Sequence, residues 1–224
     1  MAEIAGRAGF DFCLIDGEHA PYDPVTIRHL LLTLKAVDTP SMVRVPVAED
    51  WIFKQVLDIG AQTIMVPMVE SAGEAEAAVR SCRFPPEGKR GMGGYTMRAG
   101  GYGALPDYPA EANAQIALIA QIETQAGLDA IEEIAAVDGV DGLFIGPSDL
   151  GADLGYRDDL GNAALWEVIE AAVRRIVATG KAAGVFAPMD RLAMMRAAGA
   201  SLVAVGSDAA IATGRVRGFW GGPR

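Results

Sequence analysis

The feature that most constrains the fold is an alternation of short apolar runs and alanine-rich amphipathic segments along the whole chain. The runs lack polar alternation, which is typical of strands buried on both faces, and the segments between them have helical spacing. This pattern predicts a parallel sheet covered by helices. Strands are predicted at residues 10–16, 42–47, 63–69, 116–122, 142–145, 182–186 and 202–205, and helices at 25–37, 51–59, 74–82, 126–136, 165–178 and 191–198.

Seven strands of this kind favour a barrel over an open sheet. No glycine-rich nucleotide-binding motif follows the first strand, so the open nucleotide-binding folds lose their main sequence signal. The 224 residues suffice for one sizeable core, and we predict a single α/β domain over residues 1–224, a (β/α)₈ TIM barrel of which seven strands are visible in the sequence. Residues 1–8 have the pattern of a helix end. Residues 214–224 contain four glycines, which argues against a C-terminal helix over 209–224.

Charge and composition exclude several classes of partner. The chain has 19 basic and 29 acidic residues and a net charge of −10, so neither a nucleic acid nor an anionic membrane surface is expected as a partner. No stretch approaches the length of a membrane span, and no signal-peptide pattern is found. The two cysteines make no disulfide framework, and we expect a cytoplasmic protein.

The polar residues concentrate where the predicted strands end. In barrels of this kind the chemistry lies at the C-terminal ends of the strands, and here nearly every exit is polar although the strand interiors are apolar. The exits are residues 16–19 (DGEH), Arg44, residues 67–70 (PMVE), 121–123 (QIE), 146–149 (GPSD), Pro188 and 206–208 (GSD). This asymmetry predicts an active site on that face, and we expect the irregular segment 83–113 to shape its pocket as a lid or an interface.

Two of these exits place carboxylates on neighbouring strands. Glu123 and Asp149 follow consecutive predicted strands, and adjacent parallel strands lie about 4.8 Å apart, so both carboxylates can share one divalent cation. A 2-oxo acid is a suitable further ligand. The alternative is that both residues only cap the helices that follow them.

Arg44 and His19 are the remaining candidates for chemistry. A half-buried guanidinium needs an anionic partner, and the alternative to a catalytic Arg44 is a structural ion pair with Glu18, Glu70 or Glu123. His19 closes an Asp-x-Glu-His exit, which favours proton transfer. His29 has a helical surface position. No lysine lies at a C-terminal strand end, which disfavours a Schiff-base mechanism.

Several segments in one consistent order resemble the class II pyruvate aldolases, the group of 4-hydroxy-2-oxoheptane-1,7-dioate aldolase and 2-dehydro-3-deoxyglucarate aldolase. They are residues 15–21 (IDGEHAP), 66–68 (VPM), 84–91 (FPPEGKRG), 121–124 (QIET) and 139–150 (GVDGLFIGPSDL). The resemblance covers residues 2–212. It implies a (β/α)₈ barrel of the phosphoenolpyruvate/pyruvate type, whose usual first strand has no match in this sequence. It also implies an enzyme of sugar-acid or aromatic catabolism that requires Mg²⁺, Mn²⁺ or Co²⁺, and a homohexamer built as a trimer of dimers.

The resemblance also implies roles for individual residues. Glu123 and Asp149 match the metal ligands, and Gln121 and Ser148 match residues that contact the bound 2-oxo acid. Arg44 matches the arginine that stabilises the enolate and the aldehyde oxygen, whereas His19 matches the general acid/base. Asp58 matches an aspartate that supports this histidine. Because Asp58 lies near a helix end on the far side of a barrel, a neighbouring subunit would have to supply it, or Asp16 takes its role.

The leading functional hypothesis is a carbon–carbon lyase, a metal-dependent aldolase that reversibly cleaves a 4-hydroxy-2-oxo (2-keto-3-deoxy) acid into pyruvate and an aldehyde through a metal-stabilised enolate. One alternative is an acyl-CoA lyase of the citrate-lyase β type. Another is a non-catalytic barrel that serves in binding or assembly.

Overall fold

The structure, a computed structural model, describes residues 1–220, with side chains through residue 215. Seven parallel strands form one sheet in sequence order: β1 (Cys13–Asp16), β2 (Ser41–Arg44), β3 (Thr63–Val66), β4 (Ala117–Ile122), β5 (Gly142–Ile145), β6 (Ala182–Phe186) and β7 (Leu202–Ala204). The sheet curves into a nearly closed barrel. Within residues 1–220 no strand precedes β1 and no ladder joins β7 to β1, and the seven predicted parallel strands are confirmed.

Helices cover the outside of the sheet. They are α1 (Ala2–Arg7), α2 (Pro24–Ala36), α3 (Asp50–Asp58), α4 (Ala72–Cys82), α5 (Tyr108–Glu111), α6 (Gln125–Asp129), α7 (Ile131–Ala136), α8 (Pro147–Asp153), α9 (Ala163–Ala178), α10 (Leu192–Ala198) and α11 (Asp208–Trp220), with short 3₁₀ helices at Gly94–Thr96, Gly101–Gly103 and Ala112–Gln115. The outward side chains of the strands pack with these helices into the main core. None of the helices in residues 1–220 combines the length and apolar character that a bilayer crossing requires.

The boundaries differ from the predictions for local reasons. β2 and β3 end before Pro46 and Pro67, which have no backbone N–H to donate. The single helix predicted at 126–136 is two helices, with a break at Ala130. Gly60, Gly180 and Gly199 follow helices with positive φ, as predicted for stop residues.

The prediction that residues 209–224 form no helix is wrong, because α11 extends over Asp208–Trp220. Its start is well specified: the Ser207 hydroxyl accepts a hydrogen bond from the backbone N–H of Ala210 at 3.1 Å, and Asp208 places an acid in the first turn. Only Gly214 and Gly218 of the four glycines fall inside the helix. The others, at 221 and 222, lie outside the described residues.

The segment 83–113 packs at the opposite end of the barrel from the strand exits, which corrects the expectation that it shapes the pocket of its own chain. Its backbone and side chains bind the end of α3: Ala99 N–H donates to the Asp58 carbonyl at 3.0 Å, and Arg98 Nη1 donates to the Ile59 carbonyl at 2.8 Å. A cavity of about 460 Å³ lies here, between residues 98–108 and the starts of β3 and β4.

Candidate active site

The inside of the barrel changes from apolar to polar within one step along the strands. Its floor consists of the buried side chains Met42, Met65, Ile119 and Phe144, with Leu14, Leu202 and Ala204 packed against them. Because side chains alternate between the two faces of a strand, the next inward positions are Asp16 on β1, Arg44 on β2 and Gln121 on β4. The carboxyl ends of the strands therefore surround a polar chamber above an apolar floor.

Arg44 lies at the centre of the charged side of this chamber. Asp16 is its partner in register on the adjacent strand and accepts two hydrogen bonds from the guanidinium, at 2.9 Å from Nε and 2.7 Å from Nη2. Nη1 lies 2.8 Å from Glu18 Oε2 and 3.4 Å from Gln121 Oε1. Burial would raise the pKa of Asp16, but the hydrogen bonds and charge of Arg44 outweigh it, and the pKa of Asp16 is lowered.

Glu18 bridges Arg44 and His19. Its Oε2 atom is buried, and although Arg44 Nη1 is close, the atom receives no aligned hydrogen bond among the described groups. The contact between Arg44 and Glu18 is therefore an ion pair and not an aligned hydrogen bond. Burial raises the pKa of Glu18, and the negative charges of Asp16 and Asp149 add to this effect, which the charges of Arg44 and His19 oppose only in part. The His19 ring is 62% exposed, with Nε2 3.6 Å from Glu18 Oε2.

Glu123 is the most deeply buried acid of the chamber, with 2% of its surface exposed. Oε1 accepts a hydrogen bond from the Met68 N–H at 2.8 Å, and Oε2 accepts one from Gln121 Nε2. The pKa of Glu123 is raised to about 7: burial is the main cause and the negative charges of Glu18 and Asp149 add to it, whereas the Met68 N–H and Arg44 oppose it. The carboxylates of Glu18, Glu123 and Asp149 therefore repel one another, and the positive charge of Arg44 offsets this repulsion only in part.

Two backbone features position the side chain of Glu123. Gly146 lies at the end of β5, and a Cβ there would approach Glu123 Oε2 to 2.5 Å and Gln121 Nε2 to 2.7 Å. Met68 adopts a left-handed φ of 54° at the exit of β3, which costs about 1–3 kcal/mol for a residue with a side chain. Its N–H is thereby directed at Glu123.

Ser148 and Asp149 lie in the first turn of α8, and both are exposed at the rim of the chamber. The capping alternative receives no support. Gly146 precedes α8 without a side-chain cap, and Thr124 rather than Glu123 caps α6, through a hydrogen bond from the Gly127 N–H to its hydroxyl.

Asp58 is not brought to His19 within the chain. Its Oδ1 lies 2.7 Å from Nη2 of Arg90, whose side chain is fully buried, at the far end of the barrel. Asp16 does not hydrogen-bond to the His19 ring either: from His19 its Oδ1 accepts the backbone N–H, at 3.3 Å. Among the ion pairs of the described residues, Glu18 is the acid beside the ring. The assignment of Asp58 stays a prediction, and His29 is exposed on α2, as expected.

The chamber combines a fixed arginine, an amide, a histidine and more carboxylates than cations, an arrangement typical of carbonyl chemistry assisted by a cation. The family profile described as HpcH/HpaI aldolase/citrate lyase matches residues 1–213. The chain belongs to this family. It is an aldolase and therefore a carbon–carbon lyase.

Similar proteins agree with the family in sequence and in fold. The chain is 49% identical over 211 residues to a hydroxypyruvate/pyruvate aldolase of Roseobacter denitrificans, covering 94% of this chain and 82% of that protein. It is 44% identical over 209 residues to a 2-keto-3-deoxy-L-rhamnonate aldolase of Escherichia coli, covering 93% and 78%. A family member from Burkholderia cenocepacia superposes with a TM-score of 0.92 at 38% identity, covering 98% of this chain and 88% of the other. The TIM-barrel prediction is thereby confirmed.

Three residues of the chamber have positions or contacts that the sequence does not indicate. The sequence indicates Glu18 only as a salt-bridge partner, although its place between Asp16 and His19 puts it at the same strand exit. It indicates Asp16 as the alternative to Asp58 beside His19 and not as the partner of Arg44, a pairing that requires the register of β1 on β2. Phe186 was read as the end of a strand, yet its position follows the inward-facing series of β6.

Proposed function

We propose that this aldolase cleaves a 4-hydroxy-2-oxo acid into pyruvate and an aldehyde, and forms the same bond in reverse. In cleavage the hydroxyl at C4 loses its proton, the bond between C3 and C4 breaks, and its electron pair moves toward the 2-oxo group. C3 then takes up a proton to give pyruvate. The proposal rests on the convergence of Arg44, Gln121 and Glu123 on one chamber, and the names of the similar aldolases support it.

Glu123 and Asp149 are the residues that would hold a divalent cation. The oxygen of Glu18 that lacks an aligned donor and the surplus of carboxylates fit a hard ion such as Mg²⁺, Mn²⁺ or Co²⁺. Among the described residues no group of three or more His, Cys, Asp or Glu side chains is close enough to hold a metal. A bound divalent ion supplies Lewis-acid stabilisation of charge at the 2-oxo group.

Arg44, Gln121 and Ser148 would position the 2-oxo acid. Arg44 is held by Asp16 and Glu18, so its charge is fixed before the substrate arrives, and such preorganised charge stabilises a developing oxyanion most effectively. Gln121 offers an amide beside Glu123. Ser148 lies in the first turn of α8, where its backbone can contact a carboxylate.

His19 would move the proton at the C4 oxygen. Its exposed ring at the rim can reach a substrate above the chamber, and Glu18 lies beside Nε2. A positioned acid/base of this kind contributes about 10²–10⁴-fold to the rate.

The test is the exchange of the pyruvate methyl protons with deuterium in D₂O, followed by NMR with Mg²⁺, Mn²⁺ or Co²⁺ and after chelation. We expect exchange that depends on the ion, and its loss in Asp149→Asn with the fold retained. Full exchange by Asp149→Asn in the presence of chelator would overturn the metal assignment. No exchange under any condition would favour a non-catalytic barrel.

We further propose that the enzyme is a homo-oligomer, a trimer of dimers, in which Asp58 approaches His19 of another subunit. The apolar side chains Trp51, Met92, Tyr95, Tyr102 and Leu105 are exposed near the same end of the barrel as Asp58, and such patches are typical of interfaces. Light scattering should give a hexamer, and a double substitution of Tyr95 and Tyr102 to Ser should reduce the assembly size. A monomeric wild-type enzyme with full activity would overturn this assignment. The physiological place, a sugar-acid or aromatic catabolic route in the cytoplasm, stays a prediction.

A further inference from the structure

Two hydrogen bonds enclose the strand exits that carry the proposed metal ligands. The first continues the ladder between β4 and β5, and in it the Gly146 N–H donates to the Ile122 carbonyl at 3.1 Å. Beyond this bond the two segments separate, one into α6 and the other into α8. They are joined again where the Gln125 backbone N–H donates to Asp153 Oδ2 at 2.7 Å.

Both proposed metal ligands lie between these two hydrogen bonds. Glu123 precedes Gln125 by two residues, and Asp149 precedes Asp153 by four. Because residues four apart in an α-helix share one face, Asp149 lies on the face of α8 from which Asp153 reaches α6. The contact between the two helices is therefore within about one helical turn of each ligand.

The position of Asp153 is not favoured by its own helix. It is the last residue of α8, and the partial negative charge at a helix C-terminus disfavours an acid there. α6 is five residues long and already has a cap, since the Thr124 hydroxyl accepts the Gly127 N–H at 3.1 Å. What Asp153 adds is a link between neighbouring βα units, which fixes α8 relative to α6.

We propose that Asp153 is a positioning residue, which binds the start of α6 and thereby fixes the separation of the carboxylates of Glu123 and Asp149. The inference rests on the proposed metal site. A cation that is shared by two carboxylates loses affinity when either of them moves away. Loss of a group that orients metal ligands typically weakens metal binding by about 10–100-fold.

The test is the affinity for Mn²⁺, measured by calorimetry after chelation and removal of bound ions. Asp153→Ala should weaken binding by about tenfold. Asp153→Asn should stay within about threefold of the wild type, because its amide oxygen still accepts the N–H. Both variants remove the same negative charge, so the difference between them separates the hydrogen bond from long-range attraction of the cation. At saturating Mn²⁺, kcat should change less than the affinity does.

Gln125→Pro removes the donor instead of the acceptor and leaves the charge of Asp153 in place. Position 125 is the first residue of α6, where proline is well tolerated. Thr124 before it has φ −137° and ψ 165°, the extended backbone that a following proline requires. We expect this variant also to weaken Mn²⁺ binding by about tenfold, and the double variant with Asp153→Ala should be no weaker than either single one.

Asn162→Ala is the matched control. Its Oδ1 accepts the Ala164 N–H at 2.9 Å and caps α9, which carries none of the proposed site residues, so the affinity for Mn²⁺ should be unchanged. Wild-type affinity in both Asp153→Ala and Gln125→Pro, or equal losses in Asp153→Ala and Asp153→Asn, would overturn the inference. An equal loss in Asn162→Ala would overturn it as well. Absence of Mn²⁺ binding by the wild type would instead contradict the proposed metal site itself.

Discussion

Each end of the barrel holds a paired arginine, and the surroundings of the two arginines differ. Arg44 at the strand exits is half-buried and is held by Asp16 and Glu18, with further acids nearby. Arg90 at the opposite end is fully buried, pairs with Asp58 alone and lies 4.4 Å above the ring of Phe84. A buried arginine is therefore not in itself the sign of an active site. The surplus of negative charge distinguishes the strand-exit end from the opposite one.

The largest effect is expected from the charged end, in Glu123→Gln. The amide keeps an oxygen that can accept the Met68 N–H but removes the charge that would bind a cation. We expect activity to fall on the order of 10³-fold and affinity for Mn²⁺, measured by calorimetry, to be lost. The midpoint of thermal unfolding without metal should not fall, because a repulsive buried charge is removed. Wild-type affinity for Mn²⁺ in this variant would break the proposed division between the two ends.

His19→Ala should lower kcat by about 10²–10⁴-fold, because the proton acceptor at the C4 oxygen is removed. His29→Ala is the matched control, since His29 is the second of the chain's two histidines and lies exposed on α2. Its kcat should equal that of the wild type. If His29→Ala lowered kcat as much as His19→Ala, the effect would not come from proton transfer at the C4 oxygen.

The structural end should respond in stability. Arg90→Met leaves Asp58 without its partner, and we expect the free energy of unfolding to fall by about 3 kcal/mol, measured by urea denaturation. Arg7→Met removes an exposed pair with Glu3 and should cost less than about 0.5 kcal/mol. If Arg90→Met lowered the free energy of unfolding no more than Arg7→Met does, the contrast between buried and exposed ion pairs would not hold.

The smallest effect concerns pH. Because Arg44 lowers the pKa of Asp16 in the folded state, the pair stabilises the fold above the ordinary carboxyl pKa of about 3.9, and this contribution is lost as the pH falls through the lowered value. The difference in unfolding free energy between wild type and Asp16→Asn should therefore be largest near neutral pH and shrink below about pH 4. A difference that grows in acid would contradict the sign of the shift.

The sequence predicted the barrel well because each buried parallel strand is a continuous apolar run and each glycine stop is a local signal. It also predicted the polar residues at the strand exits, because each of them follows an apolar run directly. It did not predict that Asp16 binds Arg44, since that contact depends on the register between β1 and β2. Nor did it place residues 83–113 at the far end, which follows from hydrogen bonds to α3 that have no pattern in the sequence. The sequence did not predict α11, because its glycines disfavour a helix, whereas the Ser207 hydroxyl that caps its first turn favours one.

The bare backbone at Gly146 makes one position unusually sensitive to the smallest possible change. A methyl group there would not have to unfold anything, because the atoms that it meets are the tips of two side chains. It would displace the carboxylate and the amide while leaving the scaffold intact. We therefore expect Gly146→Ala to be well expressed and folded but inactive. A mutagenesis screen that selects for stability alone would accept this variant.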